Sequence, residues 1–81
     1  MEIVMALTIT PRNIHAGQVQ NILTKHGCII TQRIGIHEVT PENCSTKGLI
    51  ILHIVGSDDE IKALQKELNA VEGVNANYMT I

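Results

Sequence analysis

Aromatic residues are nearly absent from this 81-residue sequence, which contains one Tyr and neither Phe nor Trp. Without aromatic side chains, the protein lacks the stacking platform that holds single-stranded nucleic acids. An excess of one charge is missing as well, because six Lys and Arg oppose eight Asp and Glu, a net charge of -2. A basic patch for a phosphate backbone is therefore not expected, and we predict no direct contact with nucleic acid.

Long apolar runs are also missing, and a secretory leader is not expected. Runs such as Leu49 to Leu52 are far shorter than a bilayer-spanning helix requires. The second residue is Glu2, where a signal peptide would carry basic residues. We therefore expect a cytoplasmic protein without membrane contact, in which Cys28 and Cys44 are two free thiols.

Motifs of catalysis and of metal binding are absent too. The sequence has no Cys-x-x-Cys or His-x-His pair, no evident Ser, His and carboxylate triad, and no glycine-rich phosphate loop. We predict no metal site, no cofactor and no enzymatic activity.

Branched aliphatic residues are what the chain has in abundance: thirteen Ile, six Val and six Leu. This excess favours β-strands. The first predicted strand, Glu2–Thr10, places Ile3, Met5, Leu7 and Ile9 on one face, and Pro11 ends it. Three more strands are predicted, at Cys28–Val39, Gly48–Val55 and Val74–Ile81. A polar turn or hairpin tip, Thr40–Lys47, separates the second from the third.

Two helices are predicted between these strands. The first runs from about Ile14 to His26, with Gly27 as a left-handed cap, and Gly17 favours a loop that extends into its first turn. The second starts with a capping box, Ser57 followed by Glu60. Its apolar face is formed by Ile61, Leu64, Leu68 and Val71, and Gly73 ends it.

The predicted order is therefore β-α-β-β-α-β. Right-handed crossovers convert this order into an α+β ferredoxin-like sandwich, in which an antiparallel four-stranded sheet of order 4-1-3-2 carries both helices on one face. We predict that residues 1–81 form a single domain of this kind.

Several stretches of the chain carry a resemblance to a known family. They are Arg33-Ile34-Gly35, Gly48 to Leu52, Ser57 to Ile61 with Ala63-Leu64, and Glu72-Gly73-Val74. On them the chain resembles ACT-type regulatory domains and, more narrowly, the iron-only hydrogenase system regulators. The resemblance implies a regulatory role and a small effector bound at a subunit interface, near the segment that follows the first strand. Here that segment comprises Arg12, Asn13, Ile14, His15, Ala16 and Gly17. From the residues alone, Asn13 has an equally good interpretation as an ordinary helix cap.

The third strand is apolar on both faces except at His53, which predicts that both of its faces are covered. If one face meets the helices, the other forms a bare apolar surface, typical of an interface. The predicted interface residues are Val4, Ala6, Arg33, Leu49, Ile51, His53 and Val55. A homo-oligomer follows, either a dimer or a tetramer.

The sequence thus predicts an oligomeric regulatory or sensor domain that binds a small effector of unknown identity. Whether a partner protein joins it stays open. Two alternatives remain: a metal-responsive sensor of nickel or iron, in which His37 or His53 would be ligands, and a purely structural interaction module.

Overall fold

The computed structural model describes residues 1–39 and 44–81, without the side chains of residues 12, 13, 37–39 and 44–46. The predicted turn at 40–47 is too long, because the third strand already begins at Cys44; residues 40–43 lie outside the described residues. The elements along the chain are β1 (Glu2–Ile9), α1 (Arg12–Lys25), a single 3-10 turn (Gly27–Ile29), β2 (Ile30–Val39), β3 (Cys44–Val55), α2 (Asp58–Asn69) and β4 (Val74–Thr80).

The strands form one antiparallel sheet in the order β2-β3-β1-β4. This order is the predicted one written from the opposite edge, and with the βαββαβ sequence it confirms the ferredoxin-like fold. Strands β1 and β3 lie in the centre of the sheet, while β2 and β4 form its edges.

The core lies between the sheet and the two helices. Every second residue of β1 is buried, as the alternation predicts. α1 contributes Val19 and Leu23 to this core. α2 contributes a row at helical spacing, Ile61, Leu64 and Leu68. None of the described helices is long and apolar enough to cross a membrane.

The predicted capping box of α2 is confirmed. The Glu60 N–H donates to Ser57 Oγ at 3.1 Å, and the Ser57 N–H donates to the Glu60 carboxylate at 2.9 Å. Hydrogen bonds from the Ser57 backbone N–H and then from its side chain hold the pKa of Glu60 below its ordinary value. Asp58 and Asp59 add further negative charge at the positive end of the helix dipole.

The predicted bounds of α1 are wrong at both ends. The helix begins at Arg12, two residues earlier than predicted, because the Pro11 carbonyl accepts the N–H groups of Ile14 and His15. Gly17 lies inside the helix, held there by the burial of Val19 on the same helix.

The glycines that follow the helices differ from one another. Gly27 is no left-handed cap, because α1 passes into the 3-10 turn, in which the Ile29 N–H donates to the His26 carbonyl. Among the described residues, Gly73 is the glycine with positive φ, at 80°. Its carbonyl accepts the Thr10 N–H at 2.9 Å, which fastens the α2–β4 connection to the end of β1.

A bulge in β2 changes which of its residues face the helices. Ile30 lies opposite Ile54, but Gln32 lies opposite His53, so Thr31 is an extra residue. A one-residue slip moves every following side chain to the other face.

Arg33 now lies opposite buried Leu52, on the helix side of the sheet, so its predicted place on the open face is wrong. Ile34 and Ile36, which alternate with Arg33 and Gly35 along β2, lie on the open face. They are 53% and 47% exposed.

Candidate functional site: a groove and an apolar sheet face

A groove of about 240 Å³ lies between α1 and the two-stranded ribbon of β2 and β3. It exists because α1 packs over the sheet centre, beside the edge strand β2, and because small residues surround it. Its lining residues are Ile9, Ala16, Gln20, Gly35, Ile36, Gly48, Leu49 and Ile50. We call this space the α1 groove.

Glycines form part of the groove floor. Gly35 of β2 lies opposite Ile50 of β3, on the side of the sheet that faces the helices. A Cβ atom added at Gly35 would meet nothing within 4 Å. A glycine inside a strand often marks a place where another group approaches the backbone closely. A larger side chain at Gly35 would therefore fill the groove.

Polar groups stand at one end of the α1 groove. Arg33 lies two residues before Gly35 on the same strand and on the same face. Its Nη2 donates to Oε1 of Gln20, a lining residue from α1. The guanidinium group therefore bridges β2 and α1 beside the groove.

The segment predicted to bind an effector, Arg12 to Gly17, is the first part of α1 and not a loop. Of its residues, Ala16 lines the α1 groove, whereas Ile14 is 68% exposed. The ring of His15 lies beside the Gly73 turn, because a Cβ at Gly73 would come within 3.1 Å of it. Gly17 is exposed with open space around it. The side chains of Arg12 and Asn13 lie outside the described part of the structure, but Asn13 follows the first helical residue and does not occupy the cap position.

The centre of the sheet surface opposite the helices is apolar, as predicted, while Thr8, Asn75 and Asn77 make part of its β4 side polar. Its central members are half-buried side chains of β1 and β3: Val4, Ala6, Leu49, Ile51 and His53. Around them lie the more exposed Val55, Met79, Ile34 and Ile36, which are 47–66% exposed. We call these nine residues the open sheet face. Their interface role stays a prediction.

His53 is the ionisable member of the open sheet face, and its own chain satisfies both ring nitrogens. Nε2 lies 2.7 Å from Glu2 Oε2, and Nδ1 is hydrogen-bonded to Thr31 Oγ1. The Thr31 hydroxyl lies 3.1 Å from the His53 carbonyl as well, so the bulge and the histidine support one another. The predicted proximity of Arg33 and His53 on the outward face is not found.

A second polar cluster joins the two helices. Glu67 of α2 accepts Lys25 Nζ at 2.6 Å and lies 2.9 Å from His26 Nε2, both near the end of α1. These hydrogen bonds, from Lys25 first and His26 second, lower the pKa of Glu67. Nearby, exposed Cys28 is a free thiol.

Among the described side chains, no group of three or more His, Cys, Asp or Glu residues is placed so that it could hold a metal ion. Of the residues that the metal alternative names, His53 is held by Glu2 and Thr31. The His37 side chain lies outside the described part.

The α1 groove and the open sheet face occupy opposite sides of one ribbon. Successive strand residues alternate between them: Gly35 and Ile50 face the groove, while Ile34, Leu49 and Ile51 lie toward the open sheet face. A change in the twist of the ribbon would therefore alter both surfaces.

Comparison with known proteins places the fold. No family model matches the chain, and no curated protein matches it. Among solved structures, the chain is similar to an uncharacterized protein from Thermotoga maritima, with TM-score 0.82 and 22% identity over 96% of this chain and 92% of the other. It is also similar to the ACT domain of the GTP pyrophosphokinase of Chlorobium tepidum, with TM-score 0.66 and 16% identity over 100% and 88%.

A third similar structure is a nitrogen regulatory PII-like protein from Thiomonas intermedia, bound to ADP, AMP and bicarbonate. Its TM-score is 0.62, with 10% identity over 99% of this chain and 89% of the other. At these identities the likeness shows a shared fold, of the kind found in ACT and PII-like domains.

Ala16 is the one lining residue that was predicted at the effector site, and Gln20, Gly35 and Gly48 are among those that sequence reasoning missed. A signal for the two glycines was present, because each interrupts a β-branched strand and the predicted hairpin brings the strands together. Gln20 had no comparable signal, since a polar residue on a helix is ordinarily only solvent-exposed.

Proposed function

We propose that this protein is a non-catalytic, homo-oligomeric regulatory domain that binds a small effector in the α1 groove. Copies associate through the open sheet face, and the effector changes the strength of that association. On the resemblance described above, we further propose that the regulated process is an iron-only hydrogenase system.

The main support for this proposal is that the α1 groove and the open sheet face lie on the two sides of one ribbon, formed by β2 and β3. Among the described strands, β2 lies at an edge of the sheet and pairs with β3. A ligand that fits the groove with the ribbon in one position stabilises that position, together with the arrangement of Ile34 and Ile36 on the other side. By thermodynamic reciprocity, association must then change the effector affinity by the same factor.

The fold comparisons support the proposal at the level of architecture. The PII-like protein from Thiomonas intermedia carries small ligands on this fold, as its bound ADP, AMP and bicarbonate attest. The ACT domain of Chlorobium tepidum belongs to a GTP pyrophosphokinase. Neither likeness identifies the effector of this chain, because one fold accommodates many functions.

Sedimentation of the purified protein across micromolar concentrations tests the association. Ile34→Glu places a charge on the open sheet face, away from the groove, and should weaken self-association about 10-fold or more. Ile14→Glu is the matched control, since Ile14 is a highly exposed isoleucine of α1 and lies off that face. A wild-type protein that is monomeric at high micromolar concentration would refute the interface.

The same sedimentation experiment with added metabolites tests the regulation. An effector that binds the α1 groove should shift the dissociation constant of the oligomer by about 5–150-fold, the usual range of such coupling. A stable oligomer that no groove-binding ligand shifts would instead favour the second candidate, a purely structural interaction module, for which the open sheet face alone is sufficient.

The link to hydrogenase chemistry needs a separate test in cells. An iron-only hydrogenase with its maturation proteins can be co-expressed with this chain, with its Ile34→Glu variant, or with neither. We expect hydrogen evolution to differ between the strain with the wild-type chain and the strain with neither. The strain with the Ile34→Glu variant should differ less from the strain with neither. Equal activity in the three strains would remove the hydrogenase assignment and leave the effector-binding proposal standing.

A further inference from the structure

The chemistry of the α1 groove restricts the ligand it can hold. Arg33, on the same strand and face as Gly35, supplies a positive charge beside the groove, through a guanidinium group that already donates to the lining residue Gln20. Among the described residues, the four ion pairs that form do not involve Arg33. The guanidinium therefore keeps donors for an anion, and it favours a carboxylate because its planar fork matches two carboxylate oxygens.

The rest of the groove is apolar and small. Ile9 and Ile50 are buried core residues that line the groove, and Ile36 and Leu49, which belong to the open sheet face, border it as well. A volume of about 240 Å³ is below the range of roughly 300–1,000 Å³ for sites that enclose drug-sized ligands. The space suits a short aliphatic chain and is too small for a nucleotide.

The described lining residues include no Asp and no Glu. An ammonium group inside the groove would lose water without gaining a carboxylate partner, and such unpaired burial is costly. Gln20 offers one amide oxygen, which Arg33 already occupies. The groove is therefore built for an anion and disfavours a zwitterion.

We propose that the α1 groove binds a short aliphatic monocarboxylate, with its carboxylate on Arg33 and its chain against Ile9 and Ile50. An amino acid of the same carbon skeleton binds more weakly. This inference rests on the proposed effector site and specifies the chemical class of its ligand.

Three probes separate the chemical requirements: 4-methylpentanoate, its neutral amide 4-methylpentanamide, and L-leucine, which adds an ammonium group. Binding is measured by calorimetry and located by amide chemical shifts, with changes expected at Gly35 and Gly48. The carboxylate should bind about 10-fold or more tightly than either of the other two.

Variants then assign the contacts. Arg33→Gln removes the charge and keeps a polar side chain, and it should weaken 4-methylpentanoate binding about 10-fold. Lys66→Gln is the charge-matched control on exposed α2, and it should leave that affinity unchanged. Gly35→Leu should abolish binding of the carboxylate, with circular dichroism to verify the fold; the Arg33→Gln result decides the question if that variant does not fold.

The proposal is overturned if the amide binds as tightly as the carboxylate, if Arg33→Gln has no effect, or if none of the probes shifts Gly35 and Gly48. Tighter binding of L-leucine at these residues would also overturn the ligand class while it supports the effector site itself. The sedimentation experiment decides the proposed regulation independently of these affinities.

Discussion

The β-α-β order occurs twice in this chain, as β1-α1-β2 in the first half and as β3-α2-β4 in the second. The helices of the two halves are held in different ways. In the second half, α2 starts with a complete capping box and three acidic residues, and Gly73 fastens its exit to Thr10. In the first half, α1 starts at Pro11 without a side-chain cap, has no acidic residue in its first turn and contains Gly17. The half with the weaker local signals contributes Ile9, Ala16, Gln20, Gly35 and Ile36 to the groove, and β3 of the other half contributes the rest of its lining.

The two edge strands repeat this contrast. At β4, the backbone of Ala76 is held by side chains of α2: its N–H donates to Asn69 Oδ1 at 2.7 Å, and its carbonyl accepts from Asn69 and Gln65. At β2, Arg33 is the side chain that reaches α1, through Gln20. An edge covered by side chains is protected from further pairing. The comparison indicates that the β4 edge is held by more side-chain hydrogen bonds from its helix than the described part of the β2 edge.

The largest expected effect comes from replacing a glycine by alanine, in one variant for each half. Gly73→Ala should lower the free energy of unfolding by about 2–4 kcal/mol, because φ is 80° and the new Cβ would lie 2.2 Å from the Thr10 oxygen. Gly17→Ala should raise it by about 0.5–1 kcal/mol, since the site is helical with open space around it. Urea denaturation measures both changes, and equal effects would remove the contrast between the halves.

A smaller effect is expected where α2 covers the edge of β4. Asn69→Ala removes two hydrogen bonds to Ala76 and should cost about 1–2 kcal/mol of stability. Hydrogen exchange of the Ala76 amide is the sharper measurement, because that N–H loses its partner. Asn21→Ala is the matched control, an exposed asparagine of α1. Unchanged protection of Ala76 in the Asn69→Ala variant would contradict the proposed protection of this edge.

The fold was predictable because its determinants are local. Ile50, Leu52 and Ile54 alternate with residues of the open sheet face, and Ser57 with Glu60 marks the start of α2. These patterns indicate the type of each element and its buried face, and the right-handed crossover rule then gives the order of the sheet.

The candidate site was less predictable because it depends on one bulge. No local pattern marks Thr31 as an extra residue, since a β-branched residue suits a regular strand equally well. The shift it causes moves Arg33 to the groove and Ile34 to the open sheet face. The bulge therefore explains the changed faces of Arg33 and Ile34. The predicted effector segment, Arg12 to Gly17, differs for another reason, since it is helical instead of a loop.

The smallest expected effect concerns the connection between the halves, where Glu67 joins Lys25 and His26. Because these bonds lower the Glu67 pKa below 4.5 in the folded protein, the unfolded state binds more protons near that pH. Their stabilisation is therefore fully present above about pH 5 and is lost as the pH falls through the folded pKa. In Glu67→Gln this acid-dependent component should disappear, so the stability difference from wild type should shrink toward low pH. The effect is small because the pair is exposed to solvent.

Urea titrations between pH 3 and pH 7 provide the measurement. The control is Glu72→Gln, because Glu72 is an exposed carboxylate without an ion pair among the described residues. A stability difference that stays constant over this range would mean that the charge of Glu67 does not help to hold α2 against the end of α1.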